Sequence, residues 1–214
     1  MPEPVLTVAR GELILGGQKS DKLRRAENLA TAWLAASPSH SAALGASAKP
    51  WDSEMCNRIA RHQADRALRV PGLATVEEPL PLAEAITRHS RANTLMVVDF
   101  LTLWRTNLLT PAVKISAVAS EDASIEAPRE LHEKIEVFPS VLRDKLITFL
   151  IAIQKAQGPL ILVGNEIGLG LIPLGREVRI FVDTLGRLNH DMAAICQCVT
   201  LMAAGLPLVL KDVD

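Results

Sequence analysis

Four groups of residues in this chain have types and spacings that could do chemistry. The first is Gly16-Gly17-Gln18-Lys19-Ser20-Asp21-Lys22-Leu23. It lies between an apolar run and a helical pattern. Glycines followed by a lysine in that setting can cradle phosphates with backbone N–H groups and an ammonium. Two positions depart from the usual G-x-x-x-x-G-K-[ST] pattern. Asp21 replaces a glycine, and Leu23 replaces the hydroxyl that helps hold Mg²⁺. A carboxylate beside a polyphosphate repels it, and leucine ligates nothing. The stretch also reads as a Gly-rich strand-to-helix turn with solvated charges.

The second is Asp99, which ends the apolar run Thr94-Leu95-Met96-Val97-Val98. Ligands gather at the carboxyl ends of parallel strands, where an acid suits the Mg²⁺ of a nucleotide. Asp99 could equally cap a following helix. The third is His62, seven residues after Met55 and three after Ile59. Helical spacing puts it on their face or its rim. There it could be a packed, half-buried histidine, or a nucleophile whose neutral imidazole attacks phosphorus. Arg58, Arg61 and Arg66 would suit a triphosphate's charge. The fourth is Asn165-Glu166-Ile167-Gly168-Leu169-Gly170, a polar, glycine-containing loop after a buried strand. It reads as an active-site loop or as an ordinary connection.

The elements that must position these residues follow from periodicity. Strands are expected at Glu12–Leu15, Ser41–Gly45, Leu73–Val76, Thr94–Asp99, Leu160–Val163, Val199–Met202 and Leu206–Leu210. Helices are expected at Arg24–Ala36, Ser53–Leu68, Pro81–His89, Val141–Gln157 and Arg176–Ala194, with a short helix or turn over Phe100–Leu109. Asp52 and Ser140 are the candidate caps. Continuous apolar strands alternating with helices predict a mostly parallel α/β sheet covered on both faces. The last two strands are too close for a crossover and predict a C-terminal β-hairpin. The Ser-, Ala- and Glu-rich stretch at about residues 112–138 reads as a surface insertion, partly disordered, in a single domain spanning 1–214.

Composition narrows the functional classes. With 23 basic and 24 acidic residues, the net charge of −1 gives no field for nucleic acid or anionic lipid. Aromatic residues are only 3%, too few for stacking platforms on single strands. No apolar run approaches the length of a membrane span, and no leader pattern opens the chain, so a cytoplasmic protein is expected. Three cysteines without a C-x-x-C read as buried thiols.

Taken in order, these features resemble the bifunctional cobinamide kinase and cobinamide-phosphate guanylyltransferase family of cobalamin synthesis. The resemblance runs roughly from Glu12 to Lys211 outside the insertion. It rests on Trp51-Asp52-Ser53-Glu54-Met55 with Arg58, Ile59 and His62, and on Asp99-Phe100-Leu101-Thr102-Leu103-Trp104 with Asn107-Leu108-Leu109. It rests also on Asn165–Gly170 with Pro173, on Gly186-Arg187-Leu188-Asn189, and on Ala204-Gly205-Leu206-Pro207-Leu208. His190 stands where the family commonly has glutamine.

The resemblance implies a P-loop fold of the RecA-like type, assembled as a homotrimer. It implies phosphorylation of the aminopropanol hydroxyl of adenosylcobinamide by GTP or ATP. It implies transfer of GMP from GTP to that phosphate, with Mg²⁺, to give adenosyl-GDP-cobinamide. In those terms Lys22 is the phosphate-loop lysine, and Gly16, Gly17, Gln18, Lys19, Ser20, Asp21 and Leu23 surround the nucleotide. His62 carries the guanylyl group, and Asp99 is the strand-end acid and metal ligand. Ala46, Ser47 and Glu77 lie near the nucleotide. The alternative is a non-catalytic relative with a decayed phosphate loop that binds a corrinoid or a partner protein.

Overall fold

A computed structural model of the chain describes residues 6–46, 60–61, 64–76, 82–99, 143–170 and 173–213. The expected caps Asp52 and Ser140, the helix or turn over 100–109 and the insertion at 112–138 lie outside these residues.

Seven strands form one sheet: β1 (Gly11–Gly16), β2 (Ser41–Ala46), β3 (Leu73–Val76), β4 (Thr94–Asp99), β5 (Leu160–Asn165), β6 (Cys198–Ala203) and β7 (Leu206–Asp212). Among the described residues five helices accompany them: α1 (Lys22–Ala36), α2 (residues 64–69, with 60 and 61 also helical), α3 (Leu82–His89), α4 (residues 143–155) and α5 (Arg176–Ile195). The spatial order is β3-β2-β4-β5-β1-β6-β7. Every pairing is parallel except the β6–β7 hairpin. This is the expected α/β architecture, a mostly parallel sheet with a C-terminal β-hairpin.

The two-residue period of the strands divides the core. Leu13, Leu15, Met96, Val98, Leu160 and Leu162 point to one face, where they meet Ile86 of α3, Phe149 of α4 and Leu188 of α5. Ile14, Leu95, Val97, Ile161 and Val163 point to the other, where they meet Ala26, Leu29 and Ala30 of α1. Both faces are therefore covered, which is why Leu95–Val98 of β4 and Leu160–Val163 of β5 are unbroken apolar runs. No helix among the described residues is long and apolar enough to cross a membrane.

Several boundaries differ from the sequence expectation for local reasons. α1 begins at Lys22, not Arg24, because the Arg25 N–H donates to the Asp21 carbonyl at 3.0 Å and closes the first turn. α4 stops at residue 155, because the Gln157 and Gly158 N–H groups donate to Ser90 Oγ instead, at 2.8 and 3.1 Å. β6 and β7 are longer than expected because their turn needs only Ala204 and Gly205. Both have positive φ, 51° and 79°, which suits a tight hairpin of right-handed twist.

The topology opens a crevice beside β1. β1 lies between β5 and β6. The helix after β1 packs on one face of the sheet, and α5, which follows β5, packs on the other. Their loops diverge at the carboxyl edge, and ligands bind at such a point in open parallel sheets.

Candidate functional site

A cavity of about 580 Å³ occupies that crevice. Residues 18–24 form one wall, Asp99 and Val163–Asn165 lie at the strand ends, and Glu27, Asp65 and Arg69 close the side toward α2. The ladder pairs Gly16 with Asn165 and Ala46 with Asp99, so all four stand on the same edge of the sheet. Of the expected site residues, Gln18, Lys19, Ser20, Asp21, Lys22, Leu23 and Asp99 line this one cavity. Gly16 and Gly17 begin the loop that shapes it. Ser47, His62 and Glu77 lie outside the described residues.

The loop's shape explains its residues. A Cβ on Gly16 would overlap Ser20 Oγ and sit 2.8 Å from the Met202 carbonyl, so only glycine fits there. Ser20 is buried, and its hydroxyl has no partner among the described residues. Lys19 and Asp21 hold left-handed backbones, with φ of 55° and 65°. A glycine at position 21 would adopt that conformation without strain. Asp21 adopts it anyway, since aspartate visits this region more readily than most residues. The substitution therefore adds a charge at a position whose backbone conformation a glycine would also adopt. The Asp21 carboxylate lies toward the hairpin turn, where a Cβ on Gly205 would be 3.5 Å from Oδ2.

The N-terminus of α1 presents its first N–H groups here, and no acidic side chain occupies its first turn. Lys22 Nζ donates to the Gly17 carbonyl at 3.0 Å, folding back over the loop. Burial lowers the Lys22 pKa from its ordinary value, and the Asp99 carboxylate opposes that shift. A partly desolvated ammonium facing a buried carboxylate across a cavity can bind a phosphate together with its counter-cation.

Arg66 departs from the sequence reading. It is not an open arm for a triphosphate. It is only 5% exposed, donates to Thr75 Oγ1 at 3.4 Å and lies 3.9 Å from Glu27. Burial lowers its pKa, against the opposing pull of Asp99 and Glu27. Arg61 is exposed.

Sequence reasoning missed Glu27 and Arg69. Glu27 is 2% exposed and accepts two hydrogen bonds from Arg69, both 2.8 Å. That hydrogen-bonded carboxylate is the main reason the Arg69 pKa is raised. The available signal was the i, i+3 placement of Arg66 and Arg69 on one helix face.

The fourth motif is also tied to the site. Asn189 of α5 is buried, and its Nδ2 donates to the Asn165 carbonyl at 3.1 Å and to Glu166 Oε2 at 3.2 Å. Glu166 Oε1 accepts from the Gly168 N–H at 2.7 Å. These bonds hold the polar loop at the end of β5. His190 points into solvent beside Asp191, away from this cluster. Among the described residues no group of three His, Cys, Asp or Glu side chains could by itself hold a metal ion. Mg²⁺ needs less from a protein, because it is commonly bound by one or two carboxylates plus substrate phosphates.

Comparison with known proteins finds relatives along nearly the whole chain. The cobinamide kinase / cobinamide phosphate guanyltransferase family profile matches residues 12–210. The bifunctional adenosylcobalamin biosynthesis protein CobP of Pseudomonas aeruginosa is 36% identical over 200 residues, covering 94% of this chain and 96% of its own. The bifunctional adenosylcobalamin biosynthesis proteins CobU of Escherichia coli and Salmonella typhimurium are each 27% identical over 199 residues, covering 93% of this chain and 98% of their own.

Proposed function

Because this chain belongs to the cobinamide kinase / cobinamide phosphate guanyltransferase family, we propose that it runs both family reactions in the crevice at the carboxyl edge of its sheet. The observation that carries this reading is the convergence of Lys22 and Asp99 on one cavity at the start of α1.

In the kinase reaction, the aminopropanol hydroxyl of adenosylcobinamide attacks the γ-phosphorus of GTP or ATP. The bond to the bridging oxygen breaks, the nucleoside diphosphate leaves, and the hydroxyl proton passes to solvent. In the second reaction, His62 attacks the α-phosphorus of GTP and pyrophosphate leaves. The phosphate of the acceptor then attacks the guanylyl-histidine, forming a pyrophosphate linkage and releasing His62. Lys22 and the N–H groups of the loop would hold the phosphates and stabilise the charge that develops on them.

The donor set fits Mg²⁺. Asp99 supplies a buried hard oxygen at the cavity wall, and the buried Ser20 hydroxyl is open to a further bond. Leu23 cannot take the role that a hydroxyl has in the usual loop. When bound, the ion would neutralise phosphate charge. Ala46, Ser47 and Glu77 are proposed to lie around the nucleotide.

A cytoplasmic homotrimer is part of the same proposal. β7 supports self-association: it is an edge strand of sequence Leu-Pro-Leu-Val-Leu whose apolar side chains, Leu206, Leu208, Val209 and Leu210, are exposed. Light scattering would give three times the chain mass.

The second reading, a non-catalytic corrinoid- or partner-binding relative, is favoured by Asp21 and Leu23. Against it stand the left-handed backbone at position 21, which a glycine would share, and the position of Lys22 at the cavity. Incubation with adenosylcobinamide, GTP, ATP and Mg²⁺, followed by chromatography and mass spectrometry, separates the two. The enzyme reading predicts adenosylcobinamide phosphate and adenosyl-GDP-cobinamide. Corrinoid binding without either product would overturn it.

A further inference from the structure

The cavity holds a cation that the nucleotide-binding loop leaves unused. Arg69 lines the cavity on its α2 side. Its Nε and Nη2 each donate to one oxygen of Glu27, at 2.8 Å. This two-point pairing fixes the plane of the guanidinium. Nη1 makes no hydrogen bond among the described residues. Glu27 is buried to 2% exposure and can hold this geometry without competing solvent. Asp65, one helical turn before Arg69, adds a further attraction.

The position is informative. Glu27 follows Lys22 by five residues on α1, about 7.5 Å along the helix axis. Arg69 therefore stands beyond the turn where the loop and Lys22 would hold the phosphates of a nucleotide. A pre-oriented guanidinium with a free edge suits a phosphate monoester. In the second family reaction, the acceptor is a phosphate monoester on a bulky corrinoid.

We propose that Arg69 binds the phosphate of the phosphorylated acceptor and that Glu27 is its positioning residue. This rests on the functional reading above. It assigns Arg69 to the guanylyl-transfer acceptor rather than to the nucleotide. The pair also sets acceptor order: an acceptor carrying phosphate gains a contact that the unphosphorylated hydroxyl compound lacks.

The test uses the full chain with Arg69→Gln, Arg69→Lys, Glu27→Gln and the double variant Glu27→Gln/Arg69→Gln. The double variant avoids a buried unpaired carboxylate should Arg69→Gln fail to fold. Three quantities are read: the Kd of GTP by calorimetry, α-label from GTP on the protein, and KM for adenosylcobinamide phosphate in guanylyl transfer. The expected result is a KM at least tenfold higher in Arg69→Gln and in the double variant. Arg69→Lys should recover part of that loss, and Glu27→Gln should raise KM by a smaller factor. GTP affinity and labelling should fall by a clearly smaller factor than KM rises, because the loop and Lys22 hold the nucleotide phosphates. An equal loss of GTP affinity would assign Arg69 to the nucleotide and overturn the proposal. An unchanged KM in the double variant would make the pair purely structural and overturn it as well. A wild-type chain that takes no label and forms no product would refute the functional reading itself, and this inference with it.

Discussion

Replacing Asp21 separates the charge of the phosphate loop from its backbone path. Asp21 holds φ 65° and ψ 20°. A left-handed backbone costs an L-residue about 1–2 kcal/mol, and less for aspartate. Glycine removes that cost but forfeits about 0.5–1 kcal/mol through its extra freedom in the unfolded chain. Asp21→Gly should therefore gain at most about 1 kcal/mol, a rise in Tm of about 2–4 °C for a chain of this size.

The effect on binding is larger. Asp21 is exposed and lines the cavity, so its field is largely screened by water. With an effective dielectric of about 40–80 and a phosphate about 7 Å away, each unit of net negative charge is repelled by about 0.6–1.2 kcal/mol. Removing the carboxylate should thus tighten Mg–GTP binding by roughly three- to eightfold per unit of charge. Titration calorimetry on wild type, Asp21→Asn and Asp21→Gly, at low and at high salt, reads this directly. Both variants should tighten alike, with a gain that shrinks as salt rises, and only the glycine variant should add thermal stability. If Asp21→Asn binds no tighter than wild type, or if the gain ignores salt, the carboxylate does not act on the phosphates and the reasoning fails.

Other expectations concern the same frame. Gly16→Ala forces a Cβ against Ser20 Oγ and the Met202 carbonyl; it should cost about 1–3 kcal/mol, typical of overpacking, in a denaturant melt and abolish GTP binding. Burial depresses the Lys22 pKa below 10.5, so the unfolded chain binds more protons between the two values, and this group's contribution to stability rises with pH across that window. Lys22→Met should therefore melt no lower than wild type at neutral pH while losing GTP affinity, and the pH slope of its stability should flatten in the alkaline range. Cys196 is buried with its pKa pushed up to about 12. Iodoacetamide at mildly alkaline pH should leave it unmodified in the native protein and label it after unfolding, as peptide mass spectrometry would show.

The fold was legible because its signals are local. β4 and β5 read as unbroken apolar runs, and alternation within them assigns Leu95 and Met96 to opposite faces without any tertiary information. The start of α1 was misread because it depends on a left-handed Asp21, which side-chain pattern does not reveal. That the loop and Asp99 share one edge of the sheet was legible, since strand ends and glycines mark that edge. Glu27 and Arg69 were not, because their pairing joins residues 42 apart in the chain. Arg66 was read as facing a nucleotide from its charge alone, whereas the fold buries it between Glu27 and Thr75. Charge type is visible in a sequence, but the partner that neutralises it is a property of the packing.

The central claim is that the altered loop still delivers GTP to a nucleophilic histidine. It is tested most directly by incubating the protein with α-labelled GTP and Mg²⁺, and measuring acid-labile label on wild type and on His62→Ala. The account predicts label on the wild type that chases into adenosyl-GDP-cobinamide on addition of adenosylcobinamide phosphate, and none on His62→Ala. Absence of label from the wild type, with no GTP binding by calorimetry, would contradict it.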